Sequence, residues 1–209
     1  MTILSVMQAR IADDLARPDL GNQITAAIND AITHYQSTRF YFTETRTATF
    51  QTVAGQAFYT ATDDPDIPLM YEFDDVQITM PGWAYSLDRD DATVLEQLIA
   101  ATASRGQPYS WAWADQGIIL YPIPNSVWTI RMLGGIKKAA PTDDTAGNVW
   151  MTEGFELIRS HAEGLLFMHT IKDPEQAQAA FGLAEMTKSR LERETSSKRA
   201  TGVVTSTQF

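Results

Sequence analysis

The residues of this chain that could carry out chemistry are three histidines and two clusters of carboxylates. His161 and His169 lie eight positions apart, which does not match the His-Glu-x-x-His spacing of zinc proteases, and His34 is remote from both in the sequence. The acidic clusters DDPD (63–66) and DRDD (88–91) could bind a divalent cation through carboxylate oxygens, but they lack the glycine-containing spacing of an EF-hand loop. Histidines on helix faces and solvated acidic turns are the favoured interpretations.

The common catalytic signatures are missing from the sequence. It contains no GxSxG motif, no P-loop and no GxGxxG motif, and no pair of carboxylates is singled out for acid–base work. Because cysteine is absent, thiolate catalysis, disulfides and cysteine-based metal sites are excluded. We therefore predict a protein that is not an enzyme and that uses no metal and no cofactor.

The least ordinary stretch is GQPYSWAWADQGIILYPIPN, residues 106–125, which combines four aromatic residues with three prolines. In an extended strand, Tyr109, Trp111 and Trp113 share one face, where exposed rings could stack on sugars or bases or form an aromatic wall towards a partner. We favour the alternative that these rings fill a core. The stretch then forms a packed hairpin whose turn is Asp115-Gln116-Gly117, with Gly117 at positive φ.

The chain has 209 residues and a formal net charge of −10, which is unevenly distributed. Residues 63–75 carry six acidic and no basic side chains. From Met186 to the C-terminus the net charge is +3, so the remainder carries −13. Because phosphate contacts need clustered Lys and Arg, this distribution argues against wrapping DNA. It is typical of a protein that lies near DNA without binding it tightly, although an acidic surface can also simply maintain solubility.

No segment resembles a signal peptide or a membrane span. The N-terminal MTILSVMQARIADDL is amphipathic and acidic from Asp13 onwards. The longest uncharged apolar run, GIILYPIPNSVWTI, is broken by Pro122 and Pro124 and is shorter than the roughly 18–20 residues that span a bilayer. We predict a soluble protein, made in a reducing compartment, with no membrane partner.

Hydrophobic spacing predicts helices at both ends of the chain. Residues 3–17 form one helix, and a second, capped by Asp19 or Asn22, fades near Phe42. Near the C-terminus, Thr152 is the expected cap of a third helix. Its apolar face comprises Phe155, Ile158, Ala162, Leu165 and His169. A fourth helix begins at Asp173-Pro174 and carries Ala177, Phe181, Ala184 and Met186 on its apolar stripe.

Between about residues 45 and 140 the period changes from 3.6 to 2, which predicts strands. The segment TRTATFQTVAGQAFYTA forms a strand pair around a turn at Ala54-Gly55, and MYEFDDVQITM ends at Pro81-Gly82. The segment DDATVLEQLIAATA is a helix capped by Asp90 or Asp91, and SVWTIRMLGGIKK is a further strand.

These elements predict an α+β fold, in which helices from both ends form a bundle and an antiparallel β-sandwich-like domain is inserted between them. The expected boundaries are 1–44 with 145–194 for the helical domain and 45–144 for the β domain. Residues 195–209 are expected to form a flexible C-terminal arm, because they have little apolar surface to bury.

Four segments, in this order, resemble the head-to-tail adaptor proteins of tailed bacteriophages, also called connector or tail accessory proteins. They are AINDAITHY (27–35), TVAGQAFYT (52–60), the aromatic stretch 106–125 and NVWMTEGFELIRSHAEGLL (148–166). Together the resemblance covers about residues 22 to 190.

The resemblance implies a structural virion protein of the neck, made and assembled in the bacterial host cytoplasm. Such adaptors form a ring, commonly of twelve copies, that binds the portal protein, seals the filled head and joins it to tail or nozzle proteins. DNA passes through the ring during ejection without specific binding. The resemblance also implies docking on the portal by the basic C-terminal end, which contains Lys188, Arg190, Arg193, Lys198 and Arg199.

A second hypothesis is a tail-associated β-sandwich module that binds carbohydrate through exposed Trp and Tyr. Four helices around the β block favour the adaptor, since a sugar-binding module rarely needs them. The acidic segment 63–75 is longer than a strand connection requires. It could contact tail proteins, or it could be an ordinary solvated insertion.

Overall fold

The computed structural model describes residues 3–143 and 148–199. These residues contain six α-helices and ten β-strands, so the predicted mixed α+β class is confirmed. The chain divides into two compact units, the first made of residues 1–43 and 138–209 and the second of residues 44–137. No helix within the described residues is long and apolar enough to cross a membrane.

The first unit is built from helices that come from both ends of the chain. They are α1 Leu4–Asp14, α2 Gly21–Tyr35, α4 Val149–Thr152, α5 Phe155–Leu166 and α6 Pro174–Arg199. One buried cluster contains Ile11 of α1, Ile28 of α2 and Ile158 of α5. The short N-terminal helices therefore obtain the apolar packing that they cannot supply alone.

Helices α5 and α6 approach closely because the side chains between them are small. Helix α6 buries Ala177, Ala180 and Ala184. On α5, a Cβ atom at Gly164 would lie 2.7 Å from Cδ1 of Phe181, closer than carbon atoms approach in proteins. Gly164 is therefore required by this contact.

The start of α6 agrees with the sequence-based prediction. Asp173 caps it, because its Oδ1 accepts hydrogen bonds from the backbone N–H groups of Glu175 and Gln176 at 3.2 and 3.1 Å. Pro174 is the first helical residue. At this position its missing N–H group costs no intrahelical hydrogen bond.

Two other predicted caps are wrong. Thr152 is the last residue of α4, whose cap is Asn148. Helix α2 has no side-chain cap, so neither Asp19 nor Asn22 has this role, and Asp19 instead pairs with Arg17 at 2.7 Å. Thr152 bonds to backbone carbonyls of α4 instead, and α5 begins after Gly154 without a side-chain cap.

The second unit contains two four-stranded sheets, with strand orders β1-β10-β3-β4 and β2-β8-β7-β5, and the short pair β6-β9. The strands are β1 Glu44–Gln51, β2 Phe58–Tyr59, β3 Met70–Met80, β4 Trp83–Ser86, β5 Asp88–Arg89, β6 Arg105–Gly106, β7 Ser110–Ala114, β8 Gly117–Tyr121, β9 Ile123–Pro124 and β10 Thr129–Ile136. One buried cluster draws Phe50 and Ile78 from the first sheet and Trp111 and Leu120 from the second. The sheets therefore share one apolar core.

Strands β1 and β2 do not pair with each other, so the predicted pairing across Ala54-Gly55 is wrong. β1 pairs with β10, and β2 pairs with β8. The chain does turn here, with Gly55 at φ +88°, but the Gly55 N–H group donates to the carbonyl of Pro124 at 2.8 Å. The Tyr59 hydroxyl donates to the carbonyl of Gln56 at 2.7 Å. These bonds hold the segment that passes from one sheet to the other.

Most strand pairs of this unit are antiparallel, as predicted, but two short pairs are parallel. β5 pairs with β7, and β6 pairs with β9, in parallel. Helix α3, Ala92–Thr102, lies between β5 and β7 in the chain, and a helical crossover is the usual connection of parallel strands. Asp91 caps α3, as one of the two predicted candidates, and accepts from the Thr93 N–H group at 2.8 Å.

Strands β7 and β8 form the hairpin predicted for the aromatic stretch, but its turn differs. Asp115 and Gln116 have positive φ angles of +46° and +56°, the pattern of a type I′ turn, whereas Gly117 does not. A Cβ atom at Gly117 would lie 2.6 Å from Cε2 of Phe58. The glycine is thus required by packing against β2 and not by a positive φ.

The acidic segment 63–75 forms a turn region and the first part of β3. The Asp63 carboxylate accepts from the Thr60 N–H group at 2.8 Å and from Nε2 of Gln56 at 2.7 Å. Asp75 accepts from the Ser86 hydroxyl at 2.6 Å. Part of this acidic segment therefore stabilises the local structure of the second unit.

Candidate docking surface on helix α6

The five basic residues predicted to dock on a partner all lie in the C-terminal half of α6. They are Lys188, Arg190, Arg193, Lys198 and Arg199. This half of the helix buries Leu191 and Thr195. At 100° per residue the basic side chains fall on different sides of the helix, so they do not form a single patch. The lysines and the two central arginines have different surroundings.

The two lysines lie beside glutamates of the same helix. Nζ of Lys188 is 3.4 Å from Oε1 of Glu185. Nζ of Lys198 is 2.8 Å from Oε1 of Glu194 and 3.2 Å from the centroid of the Tyr41 ring. Exposed pairs of this kind contribute little to stability, but they lower the net charge that the lysines present to a partner.

Arg190 and Arg193 instead line a groove of about 400 Å³ between α5 and α6. Leu183 and Met186, which also line it, are 54% and 70% exposed. The four residues recur at spacings of three and four, so they share one helix face, which we call the α6 face. The prediction that Met186 belongs to the buried stripe is wrong. This face can bind a partner that presents apolar side chains beside carboxylates.

The α5 wall of the groove contains a partly buried cluster of charges. Arg159 lies 3.2 Å from Asp14 and 3.1 Å from Glu156, and its Nε lies 3.6 Å from Oε1 of Glu163. Burial raises the pKa of Glu163 to about 7, although the charge of Arg159 opposes the rise. Because the pKa of Glu163 lies near neutrality, the net charge of this cluster changes around pH 7.

The end of α6 is held against the segment that follows α2. The backbone N–H group of Tyr41 donates to Oγ1 of Thr195 at 3.0 Å, and this hydroxyl donates to the carbonyl of Leu191 at 2.7 Å. The Tyr41 hydroxyl donates to Glu153, and burial followed by this hydrogen bond raises the pKa of Tyr41. Residues 195–199, expected in a flexible arm, are therefore helical and anchored, while 200–209 lie outside the described residues.

The hypothetical aromatic wall of β7 is not a continuous exposed surface. Trp111 is only 3% exposed, because its ring lies in the core shared by the two sheets, 4.9 Å from the Phe73 ring. Trp113 is partly buried and packs against the same core, 5.0 Å from the Phe73 ring. Tyr109 is 48% exposed and packs edge-on against Tyr121. Of these three rings, Tyr109 is the most exposed and the one that a partner could contact.

The histidines do not form a metal site in the part of the chain that the structure describes. There, no group of three or more His, Cys, Asp or Glu side chains is arranged to hold a metal ion. His34 and His161 stack with ring centroids 4.8 Å apart, a contact that their separation in sequence conceals. His169, predicted on the apolar face of α5, is exposed in a π-helical turn, Phe167–Ile171, that follows it.

Comparison with known families identifies the chain. The family model described as SU10 adaptor protein matches residues 1–206. The chain belongs to the SU10 adaptor family. This is a family of phage head-to-tail adaptors, so the predicted resemblance is confirmed. No curated protein matches the chain.

Membership in the SU10 adaptor family makes the chain a structural phage protein of the virion neck, which interacts with other virion components. The segments that carried the resemblance fall in both units. AINDAITHY lies in α2 and NVWMTEGFELIRSHAEGLL covers α4 and α5, while the aromatic stretch forms β7 to β9. The α6 face is the exposed surface at the basic end of the chain that we consider for docking.

Proposed function

We propose that this SU10-family adaptor assembles as a homo-oligomeric ring, expected to contain twelve copies, beneath the portal of a tailed phage. The ring seals the DNA-filled head and joins it to tail or nozzle proteins. DNA passes through its lumen during ejection without specific binding. The observation that carries this proposal is the family match over residues 1–206, which extends through both units.

The charge distribution supports passage of DNA without binding. The second unit, residues 44–137, has twelve acidic and five basic residues. The whole chain has a net charge of −10. An acidic surface around a channel repels duplex phosphates, whereas tight binding would require neutralising them with Lys and Arg.

We assign portal docking to the C-terminal half of α6, with Lys188, Arg190, Arg193, Lys198 and Arg199 as candidate contacts, together with residues 200–209. The second unit, with its two sheets packed as a sandwich-like insertion, would then face the tail components. The excess of basic residues at this end supports the assignment.

The test is to mix the purified chain with the portal ring of the same phage and to size and image the product by sedimentation and negative-stain microscopy. We expect a portal extended by one added ring. A truncation after Arg199 is expected to weaken the association and keep the fold, because the anchor at Thr195 remains. A truncation after Glu194 would remove that anchor and confound the result.

A charge-reversed variant, Lys198→Glu/Arg199→Glu, is expected to weaken portal association at least about tenfold, as removing charges from an interface commonly does. Arg105→Glu/Lys172→Glu is the control with the same change in charge on exposed residues outside α6. Absence of any complex with an intact portal would overturn the adaptor role. Equal loss with both variants would overturn the assignment to α6.

A further inference from the structure

An apolar groove of about 410 Å³ opens on the second unit beside α3. We call it the α3 groove. Its walls include Phe58 of β2, Ile99 and Ala100 of α3 and Ile119 of β8, and its acidic members are Glu96 and Asp115. Phe58 is 38% exposed, and α3 carries Glu96 as its single charged side chain. A groove with this lining fits apolar side chains that have a basic group beside them.

The α6 face has the opposite chemistry. It presents Leu183 and Met186, followed by Arg190 and Arg193. The α5 side of this groove adds Arg159 and Glu156, so three guanidinium groups and one carboxylate line it. Glu185, which lies beside Met186, is paired with Lys188. Exposed apolar side chains beside two guanidinium groups therefore match an apolar groove with two carboxylates, in both polarity and charge.

We propose that the α6 face of one copy docks into the α3 groove of the next copy in the ring. This inference rests on the proposed ring and names the contact that builds it. A second copy is the occupant because each chain carries both complementary surfaces. A contact between two different surfaces is heterologous, and heterologous contacts generate closed rings when the rotation closes. In this arrangement Arg190 and Arg193 contact the neighbouring copy. Lys188, Lys198 and Arg199 remain available to contact the portal.

Crosslinking tests the contact directly, because the natural chain has no cysteine. Ala100→Cys places a thiol on the exposed side of α3 in the groove, and Met186→Cys places one on the α6 face. The double variant, assembled on the portal ring and treated with a bismaleimide, is expected to give a ladder of covalent oligomers. Mixing the two single variants is expected to give dimers as the largest product.

The matched control is Ala100→Cys combined with Gln178→Cys. Gln178 is exposed on α6 but lies on a different side of the helix from Leu183 and Met186. We expect no ladder from this control. Portal-bound rings that give no ladder with Ala100→Cys/Met186→Cys would overturn the contact while leaving the adaptor role standing.

A charge exchange gives a second, independent readout. Glu96→Lys/Asp115→Asn makes the groove basic, and Arg190→Glu/Arg193→Glu makes the face acidic. Each variant alone is expected to reduce the fraction of complete rings at least about tenfold, because like charges meet at the contact. Both sets of changes in one chain, or an equal mixture of the two variants, are expected to restore rings. Loss without restoration, or no loss at all, would overturn the contact.

The two proposals fail in different ways. If the wild-type chain does not associate with the portal, the adaptor role fails, and the ladder is then measured on concentrated protein without portal. A ladder in that experiment would support the contact between copies, and its absence would overturn it.

Discussion

Tyr35 of α2 and His161 of α5 are joined by a hydrogen bond of 3.0 Å between the Tyr35 hydroxyl and Nδ1 of His161, across 126 positions of the chain. The His161 ring also stacks on His34 and meets Phe181 of α6 edge-on at 5.3 Å. Burial, reinforced by His34, lowers the pKa of His161 to about 4, and burial raises that of Tyr35 to about 12. The folded unit therefore holds a neutral imidazole at the meeting point of three helices.

This neutral histidine predicts a loss of stability in mild acid. An unfolded histidine titrates near pH 6.5, so between pH 6.5 and 4 the unfolded chain binds more protons than the folded one. As the pH falls from 6.5 to 4, His161 alone should lower the free energy of unfolding by about 1–2 kcal/mol, a value reduced because the ring is only half-buried. Urea unfolding of wild type and His161→Gln at pH 7 and pH 4.5 measures it. Equal pH dependence in both proteins would contradict the prediction.

We expect Glu163 to change the stability with pH in the opposite direction. Its pKa is raised to about 7 in the folded chain, so it binds a proton that the unfolded chain releases near pH 4.5. The stability from this group is present below pH 4.5 and is lost as the pH rises to 7. Glu163→Gln should therefore gain about 1–2 kcal/mol relative to wild type between pH 5 and pH 8. A difference between the two proteins that does not change with pH would exclude this explanation.

Two glycines on packed helices give a matched pair for the α5–α6 contact. Gly164→Ala should cost about 1–3 kcal/mol, because its Cβ would overlap the Phe181 ring. Gly182→Ala should instead gain about 0.5–1 kcal/mol, because nothing lies within 4 Å of its Cβ and alanine favours the helix. Thermal or urea unfolding measures both. A stabilising Gly164→Ala change would mean that the helices are not closely packed here.

The order of helices and strands could be predicted from the sequence because it depends on local periodicity. The caps at Asp91 and Asp173 were equally predictable, since each carboxylate accepts from N–H groups only two or three positions further along the chain. Strand pairing could not be predicted in this way, because β1 pairs with β10, which is more than seventy residues away in the chain. Gly164 likewise looks like any helix glycine until Phe181 is placed against it.

The candidate site was predictable in position but not in composition. Clustered Lys and Arg pointed to the end of α6, yet the exposed apolar part of the α6 face was missed because Met186 was assigned to the apolar stripe for its residue type. Its spacing of two from Ala184 does not fit a helical stripe, whereas the spacing of seven between Ala184 and Leu191 does. The side chains of Met186 and Leu191 lie about 140° apart around the helix axis, so one is exposed while the other is buried. The opposing α3 groove has no local signal, since its walls come from β2, α3 and β8.

The anchor at the end of α6 supplies the last prediction. Thr195→Val keeps the size of the side chain but leaves the buried N–H group of Tyr41 without its acceptor, which should cost about 1–3 kcal/mol. Thr195→Ser keeps the acceptor and should cost under about 1 kcal/mol, the value of one buried methyl group. Hydrogen exchange of residues 191–199 should accelerate in the valine variant and stay near wild type in the serine variant. Equal protection in all three proteins would show that the Tyr41 bond does not hold this end of the helix.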